Sequence, residues 1–341
     1  MMNSLTNAAV ENIYGYTAYH NSQGFQFKVG KTLEYERKTK TDKNGFYFCH
    51  KNPIFSLTFY HFLSGDWSPT GFAGVSTKTK DAFIGSNARV CLAPKIKVNK
   101  LVTLDELIET QIKASYQSQN GDFIATKDNE KLSSNDEFAI IASDKKCTSA
   151  SINGYNSTIV ISGWRPLLAA NGLRNALLAI GSDAQLISNG GRSLIYANGD
   201  RAEISSIGYD NQITAIGHHS HITSSGDYDN ISTDGNEANI LSGGEKAGIR
   251  AVGDQARIAA MGNYSEIWYR GSGGFLQIGG YRGKFDCSEG TLVQAIVYDS
   301  ELNPSGDLIG RIGENGLKPN TEYTVQYGKF VEVAVEEAEI E

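Results

Sequence analysis

The 341-residue chain has little of what marks several common protein classes. Its four cysteines lie far apart and match no zinc-ligand spacing, so we expect free, buried thiols of a cytoplasmic protein. They are Cys49, Cys91, Cys147 and Cys287. No segment approaches the roughly 20 apolar residues of a membrane-spanning helix. Residues 1–14 carry neither the basic start nor the apolar core of a secretion signal.

Motifs of common enzymes are also missing from the sequence. It contains no P-loop, nucleophile elbow, Rossmann fingerprint or metallohydrolase motif. We therefore expect a protein that is not an enzyme and that needs no cofactor. Residues 151–285 carry 10 basic and 11 acidic side chains, a near balance that argues against nucleic-acid binding. Residues 286–341 carry 3 and 12, and five of these acids fall in the last ten residues, which predicts a solvated acidic tail.

Glycine, in contrast, recurs with a strict period of nine residues. Fifteen glycines follow this spacing without a miss: Gly154, Gly163, Gly172, Gly181, Gly190, Gly199, Gly208, Gly217, Gly226, Gly235, Gly244, Gly253, Gly262, Gly271 and Gly280. A fixed short period is the signature of a repeat architecture. Counting each glycine as position 0, position 5 is large and apolar, while positions 3 and 7 are usually small.

This pattern predicts a mainly β fold, a two-sheet β-solenoid of 9-residue repeats. Positions 3, 5 and 7 share one face of a strand, because strand side chains alternate with period two. Each nonamer is then a short strand that points inward with small, large and small side chains, and its glycine forms the turn. Two nonamers close one coil, and seven or eight coils stack into a rod of roughly 35 Å.

The flanking sequences predict caps at both ends of the solenoid. Residues 1–150 form an α+β domain, in which the capping box at Thr103 and Glu106 begins an amphipathic helix. A short helix is expected from Asn52 to Phe62. Residues 151–285 form the solenoid, and residues 286–341 form a small β cap with the acidic tail. Open solenoid ends expose strand edges, which caps cover.

Three sequence elements carry a resemblance to a known family. They are Gly24-Phe25-x-Phe27-x-Val29-Gly30-Lys31 with Gly45-Phe46-Tyr47-Phe48-Cys49 and Asn52-Pro53, the Gly-Asp-x-Ala-x-Ile form of the nonamers, and the ending Leu317-Lys318-Pro319-Asn320-Thr321-Glu322-Tyr323 with Gly328-Lys329-Phe330-Val331-Glu332-Val333. Over nearly its whole length the chain resembles a largely uncharacterised family from phages, prophages and bacteria. The resemblance implies a phage or mobile-element context, hence the host-cell cytoplasm, and implies no activity.

Metal binding is not expected from the repeats. Calcium-binding nonapeptide rolls place an aspartate two residues before the large apolar position, where only Asp229 fits here. His218, His219 and His221 form the one metal-like cluster. The register puts the first two in a turn and the third outward, with no cysteine or carboxylate pair at ligand spacing beside them. We expect exposed turn histidines, and ladders of stacked outward Asn and Gln side chains.

These observations predict a non-enzymatic binding protein that engages a bacterial protein, with inhibition of a host defence system as its hypothesised role. Aromatic residues are enriched at binding hot spots, so we select the aromatics of the repeats as candidate contacts. They are Trp164, Tyr196, Tyr209, Tyr228, Tyr264, Trp268 and Tyr269. For Trp164 and Trp268 the alternative is a structural role in covering the solenoid ends.

Two other functions stay open at this stage. A virion component would self-associate or bind capsid or tail proteins, and homo-oligomers are expected in either case. An ADP-ribosyltransferase-like enzyme would use NAD, with His20 as the early catalytic residue and Glu106 or Glu109 as the late glutamate. The capping box, however, explains Glu106 without catalysis.

Overall fold

The computed structural model divides the chain into two compact units, Met1–Asp122 and Phe123–Glu341. It describes residues 12–19, 26–35, 45–49, 53–54, 56–57, 71–84, 90–118 and 122–333. Most of the helix expected from Asn52 to Phe62, as well as His20 and the tail after Val333, lies outside the described residues. None of the described helices has the length and apolar character to span a membrane.

The first unit combines one antiparallel sheet, sheet 1, with one helix. Sheet 1 has the strand order β2-β7-β4-β1-β3-β6-β5. Its strands are β1 (Asn12–Tyr19), β2 (Thr32–Glu34), β3 (Phe46–Cys49), β4 (Gly71–Lys78), β5 (Phe83–Ile84), β6 (Val90–Ala93) and β7 (Lys95–Val102). Cys49 and Cys91 lie buried as free thiols in this sheet, as expected.

Helix α1 (Leu104–Ser118) begins at the predicted capping box. The backbone N–H of Thr103 donates to Glu106 Oε2 at 2.8 Å, and the N–H of Glu106 donates to Thr103 Oγ1 at 3.2 Å. This reciprocal pair satisfies two backbone donors that a helix start leaves without partners. The helix buries Leu107, Ile108 and Ile112, so the predicted amphipathic helix is confirmed.

The second unit is a two-sheet β-solenoid, as predicted. Alternate nonamers enter alternate sheets, so the chain crosses between the sheets at every turn. Sheet 2 holds β8 (Phe123–Ile124), β10 (Ile140–Ser143), β12 (Thr158–Ser162), β14 (Ala176–Ile180), β16 (Leu194–Asn198), β18 (Gln212–Ile216), β20 (Asn230–Asp234), β22 (Gly248–Val252), β24 (Glu266–Arg270) and β26 (Lys284–Cys287). Sheet 3 holds β9 (Lys131–Ser134), β11 (Ser149–Ile152), β13 (Leu167–Ala170), β15 (Gln185–Ser188), β17 (Glu203–Ser206), β19 (His221–Ser224), β21 (Asn239–Ser242), β23 (Arg257–Ala260), β25 (Phe275–Ile278) and β27 (Leu292–Tyr298).

Strands within each sheet pair in parallel with a shift of 18 residues. Ile159 pairs with Leu177, which pairs in turn with Ile195. One coil therefore contains two nonamers, as predicted. Ten such strands in each sheet make about ten coils, or roughly 48 Å, which exceeds the predicted seven or eight.

The additional coils precede the glycine series. Parallel pairing begins at β8, whereas the glycine spacing places the solenoid start at residue 151. In these first coils Lys127, Asp136 and Lys145 occupy the glycine position, so the period of nine continues without its marker residue. The inward apolar positions Leu132 and Ile141 still continue the ladder of large side chains.

The solenoid interior follows the predicted small, large and small order. A single hydrophobic cluster runs through both sheets, built from the position 5 residues with Ala and Ser on either side. Tyr269 departs from this order, because it occupies position 7 and is fully buried. Glycine at 274 replaces the usual small side chain there, and a Cβ on Gly274 would lie 2.6 Å from Cζ of the Tyr269 ring.

The repeated glycine is required by close backbone contact between coils. A Cβ on Gly199 would lie 2.5 Å from the carbonyl carbon of Gly181, one coil earlier. The left-handed turn conformation is instead adopted at position 2, usually by a residue other than glycine, such as Asp183 (φ 59°) or Arg201 (φ 58°). The turn N–H groups continue the ladder, since Asp183 N–H donates to Asp200 C=O at 2.9 Å.

Three antiparallel strands follow the last coil. They are β28 (Pro304–Arg311), β29 (Glu322–Gln326) and β30 (Lys329–Glu332). Strand β28 extends sheet 3 beside β27, while β29 and β30 extend sheet 2 beside β26. The expected β segments from Thr291 to Val297 and from Thr321 to Val335 are thus seen up to Glu332, although the first belongs to the solenoid ladder.

A test of the glycine column compares two alanine substitutions. A Cβ on Gly190 would overlap the carbonyl oxygen of Gly172, whereas a Cβ on Gly243 meets nothing closer than Ser224 O at 3.9 Å. Gly190→Ala is expected to lower the free energy of unfolding by roughly 3 kcal/mol, because the coils must separate locally. Gly243→Ala is expected to change it by less than about 0.5 kcal/mol. Denaturant unfolding measures both values, and equal effects would contradict the packing explanation.

Candidate interaction surface

The solenoid has two edges where the chain turns between its sheets. We call the turns that lead from sheet 3 into sheet 2 the first edge, and those that lead from sheet 2 into sheet 3 the second edge. The first edge contains positions 0 to 2 of the nonamers that begin at Gly154, Gly172, Gly190 and every second glycine thereafter. Along an edge, equivalent residues of successive coils lie about 4.8 Å apart.

Exposed apolar side chains of the solenoid concentrate on one side. Within residues 123–298, eleven large apolar side chains are exposed, and all except Trp164 lie on the first edge or on the adjacent half of sheet 3. These ten residues, which we call the apolar strip, are Phe138, Tyr155, Leu173, Ile187, Ile207, Tyr209, Tyr228, Leu241, Met261 and Tyr264. A clustered apolar surface marks a binding site, whereas scattered apolar residues do not.

The sheet 3 half of the strip carries no charge. Two outward columns, at positions 6 and 8 of alternate nonamers, meet the first edge. Position 6 holds Ser133, Ser151, Ala169, Ile187, Ser205, Thr223, Leu241, Ala259 and Gln277. Position 8 holds Asn135, Asn153, Asn171, Asn189, Ile207, Ser225, Gly243, Met261 and Gly279. A partner therefore desolvates no charged group along these columns.

The asparagines of position 8 form the expected ladder. Nδ2 of Asn153 donates to Oδ1 of Asn135, and Nδ2 of Asn171 donates to Oδ1 of Asn153, each at 2.8 Å. Asn189 donates to Asn171 at the same distance. Each amide thus bonds along the rod, which keeps this face flat and its polar groups satisfied.

Cations alternate with tyrosines on the first edge. The guanidinium of Arg192 lies 5.5 Å from the centre of the Tyr209 ring. Lys246 Nζ lies 5.0 Å from the centre of the Tyr228 ring and 3.1 Å from its hydroxyl oxygen. This hydrogen bond to Tyr228 raises the pKa of Lys246 above its usual value. The contacts hold half-exposed aromatic rings in place beside positive charge.

The second edge is polar and largely satisfied within itself. Side chains at position 1 accept hydrogen bonds from the backbone N–H of the next coil, as Asp200 does from His218 and Asn236 from Asp254. Arg201 pairs with Asp183 at 2.7 Å, which lowers the pKa of the Asp183 carboxyl. The two edges are thus chemically distinct, although one repeat builds both.

The predicted contact residues separate into two groups. Tyr209, Tyr228 and Tyr264 lie on the first edge with 43–51% of their surface exposed. Trp164 is on the second edge, 49% exposed, where its Nε1 donates to Asp183 Oδ2 at 2.9 Å. Trp268 lies on the outer face of sheet 2.

Neither tryptophan covers a solenoid end. Trp164 lies in the turn between β12 and β13, with further coils on either side. The Trp268 ring packs between two guanidinium groups, 4.7 Å from Arg250 and 4.2 Å from Arg270. These local contacts account for both side chains without an end-covering role.

The prediction that Tyr196 and Tyr269 are exposed is wrong. Tyr269 points into the solenoid interior, where its hydroxyl donates to the carbonyl of Ser272 at 3.2 Å. Tyr196 points outward from β16, but only 7% of it is exposed. The outer face of sheet 2 is apolar and buried from β10 to β16, as Val160 and Leu178 also show, both with no exposed surface.

The sequence prediction missed most of the apolar strip. Ile187, Ile207, Leu241 and Met261 were not selected, because only aromatics were considered. Their signal has a period of 18 residues and becomes visible only when alternate nonamers are compared. Tyr155 also belongs to the first edge by this register.

The histidines occupy the predicted positions. His218 and His219 are exposed in a second-edge turn, and His221 points outward from β19. His219 Nδ1 lies 3.3 Å from Glu237 Oε2. Among the described residues, no group of three or more His, Cys, Asp or Glu side chains is placed to hold a metal ion.

Asp229 lies inside the coil and is fully buried. One carboxyl oxygen accepts a hydrogen bond from Asn211 N–H at 2.7 Å, and the other accepts from the Ser224 hydroxyl. Burial raises the pKa of this carboxyl, and the hydrogen bonds offset only part of that effect. Asp229 thus contributes to internal packing, since it has no open side toward a metal.

The residues considered for NAD chemistry do not assemble a described site. Glu106 is engaged in the helix cap, and Glu109 is exposed with its carboxylate 3.9 Å from Lys113 Nζ. His20 lies outside the described residues. No family model matches the chain, and neither the curated proteins nor the solved structures include a match to it.

Asp229→Asn tests the buried carboxyl. Because the folded-state pKa is raised, protonation favours folding, and stability falls as pH rises from the unfolded-state pKa toward the folded-state pKa. At pH 7 the asparagine variant is therefore expected to be more stable than the parent protein by about 1 kcal/mol. The difference should vanish near pH 3, where both side chains are neutral. Thermal unfolding between pH 3 and pH 7 measures it, and a less stable variant at pH 7 would refute the assignment.

Proposed function

We propose that this protein is a non-enzymatic binding protein whose solenoid presents the apolar strip to a protein partner. The observation that carries the proposal is the concentration of ten of the eleven exposed large apolar side chains on one side of the solenoid. A soluble surface distributes such residues more evenly unless a contact selects them.

The size of the strip fits a specific protein interface. From Phe138 to Tyr264 it extends over eight coils, about 38 Å, and it is roughly 15 Å wide from position 6 to the turn. The resulting area of about 600 Å² on this chain matches the lower end of specific protein–protein interfaces. The parallel ladder of backbone hydrogen bonds keeps the surface rigid, so little conformational entropy is lost on binding.

The composition of the strip also fits a protein partner. Interface centres are depleted in charge and enriched in tyrosine and arginine. Here the uncharged columns of sheet 3 form the centre, and the first edge contributes Tyr209 and Tyr228 with Arg192 and Lys246. These two cations are available at the border for acidic groups of the partner.

The nature of the partner rests on the resemblance to phage and prophage proteins. In this proposal the partner is a bacterial protein, and its capture inhibits a host defence system. A virion role remains the second candidate, because a long uncharged face also suits assembly with copies of this chain or with other particle proteins.

Paired lysine substitutions test the strip. Ile207→Lys with Met261→Lys introduces two charges at position 8, inside the strip. His221→Lys with Asn239→Lys introduces lysines on the same sheet, at exposed position 4 outside the strip. Burying unpaired charge costs at least about 2 kcal/mol, so the first pair is expected to weaken capture of the partner by about 30-fold or more. The second pair should leave binding unchanged.

The measurement is quantitative capture of bacterial lysate proteins by the parent protein and both variants, read by mass spectrometry. Circular dichroism first verifies that all three proteins fold alike. A partner lost equally with both variants would contradict the assignment of the strip. Light scattering adds a check, since a dimer dissociated only by the strip variant would identify a second copy as the occupant. Consumption of NAD would overturn the non-enzymatic part of the proposal.

A further inference from the structure

A cavity of about 340 Å³ lies at the C-terminal end of the first edge, outside the apolar strip. Two hairpin tips border it, the β27–β28 connection at Asp299 to Leu302 and the β29–β30 turn at Tyr327 and Gly328. Its size lies at the small end of natural ligand pockets. The last coil of the solenoid and the strands that follow it therefore create a concave site that the flat repeat surface lacks.

The cavity walls combine apolar and aromatic side chains. The apolar part consists of Ile278, Ile296, Val297, Leu302 and Val325. Three tyrosines complete it. Tyr281 and Tyr298 meet edge to face with centroids 6.0 Å apart, and the Tyr298 hydroxyl donates to the carbonyl of Gly279. Both rings are thereby held in fixed positions.

Tyr327 differs from the other two tyrosines. It occupies the tip of the β29–β30 hairpin with a φ of 52°, and 98% of its surface is exposed. A tyrosine that lines a cavity and yet contacts almost nothing offers a free ring face for stacking. A bound planar group would cover a side chain that the protein itself leaves open.

Arg282 supplies the charge in the cavity wall. Its Nε donates to the Tyr281 hydroxyl at 3.1 Å, and its guanidinium lies 5.3 Å from the centre of that ring. Within the described part of the chain no carboxylate lies within ion-pair distance of Arg282, whereas Arg192, one of its counterparts on the same edge, pairs with Asp210. The remaining N–H donors of Arg282 are suited to a carboxylate or a phosphate.

Asp299 also lines the cavity, but its carboxylate is engaged within its own loop. Oδ1 accepts hydrogen bonds from the backbone N–H groups of Glu301 and Asn303, each at 2.9 Å. These bonds, that from Asn303 foremost, lower the pKa of the Asp299 carboxyl. Its charge is thus neutralised in part by loop donors, and Arg282 remains the charged group with free donors.

We infer that this cavity binds a small molecule that combines a planar ring with an anionic group. The ring stacks on Tyr327 and contacts the apolar wall, while the carboxylate or phosphate accepts hydrogen bonds from Arg282. A nucleoside monophosphate and a simpler aromatic phosphate share this chemistry. This site is independent of the protein partner proposed for the apolar strip.

Ligand-observed NMR titration of the full chain tests the inference with four probes. AMP and phenyl phosphate carry both features, adenosine lacks the anion, and inorganic phosphate lacks the ring. Binding of AMP or phenyl phosphate at least about tenfold tighter than adenosine and inorganic phosphate is expected, because both halves of the site contribute. AMP against phenyl phosphate distinguishes a nucleotide from a simpler aromatic anion.

Two variants with matched controls assign the site. Arg282→Gln should weaken binding of the anionic probes by about tenfold and leave adenosine unaffected. Its control is Arg174→Gln, at the same left-handed turn position on the same edge but eight to ten coils' register away from the cavity residues. Tyr327→Ser should weaken every ring-containing probe, and Tyr155→Ser is its control.

The expected outcome is a loss confined to the Arg282 and Tyr327 variants. Equal losses in the control variants, or adenosine and AMP binding with the same affinity, would overturn the inference. Absence of saturation transfer from the parent protein to every probe would overturn it as well. All four substitutions are at solvent-accessible positions, and thermal unfolding verifies that each variant keeps the parent fold.

Discussion

The hydrogen-bonded stacking of coils is the constraint on which the rest of the solenoid depends. Each strand pairs with the residue 18 positions away, and even the turns continue this ladder through their own N–H groups. Coils that stack so closely leave no room for a Cβ where glycine backbones meet, as between Gly181 and Gly199. The period of nine follows from this contact, since each coil crosses such a point twice.

Close stacking also explains why the solenoid can be both thin and stable. Each strand contributes one large inward residue, and a single coil could bury little of it. Neighbouring coils cover that residue from both sides, so Ile195 and Ile213 are almost completely buried. The outward positions are released from packing and can differ between the two sheets and the two edges.

Function is carried by those released positions. One edge is a polar ladder in which Asp200 and Asn236 accept backbone hydrogen bonds, and the other presents tyrosines beside Arg192 and Lys246. The repeat backbone is the same at both edges. The apolar strip and the cavity near Tyr327 therefore result from side-chain choice and from the departure of β28 to β30 from the repeat.

The sequence by itself determined the solenoid, its two strands per coil and the inward order of small and large residues, because a period of nine directly reports strand alternation and turn spacing. It also determined the cap of α1 through Thr103 and Glu106. The tertiary structure alone decided which outward aromatics are exposed. Tyr196 and Tyr228 look alike in a nonamer, but one lies on the buried face of sheet 2 and the other on an open edge. Their difference arises from packing between distant segments and from the alternation of sheets every 18 residues, which a nine-residue pattern does not record.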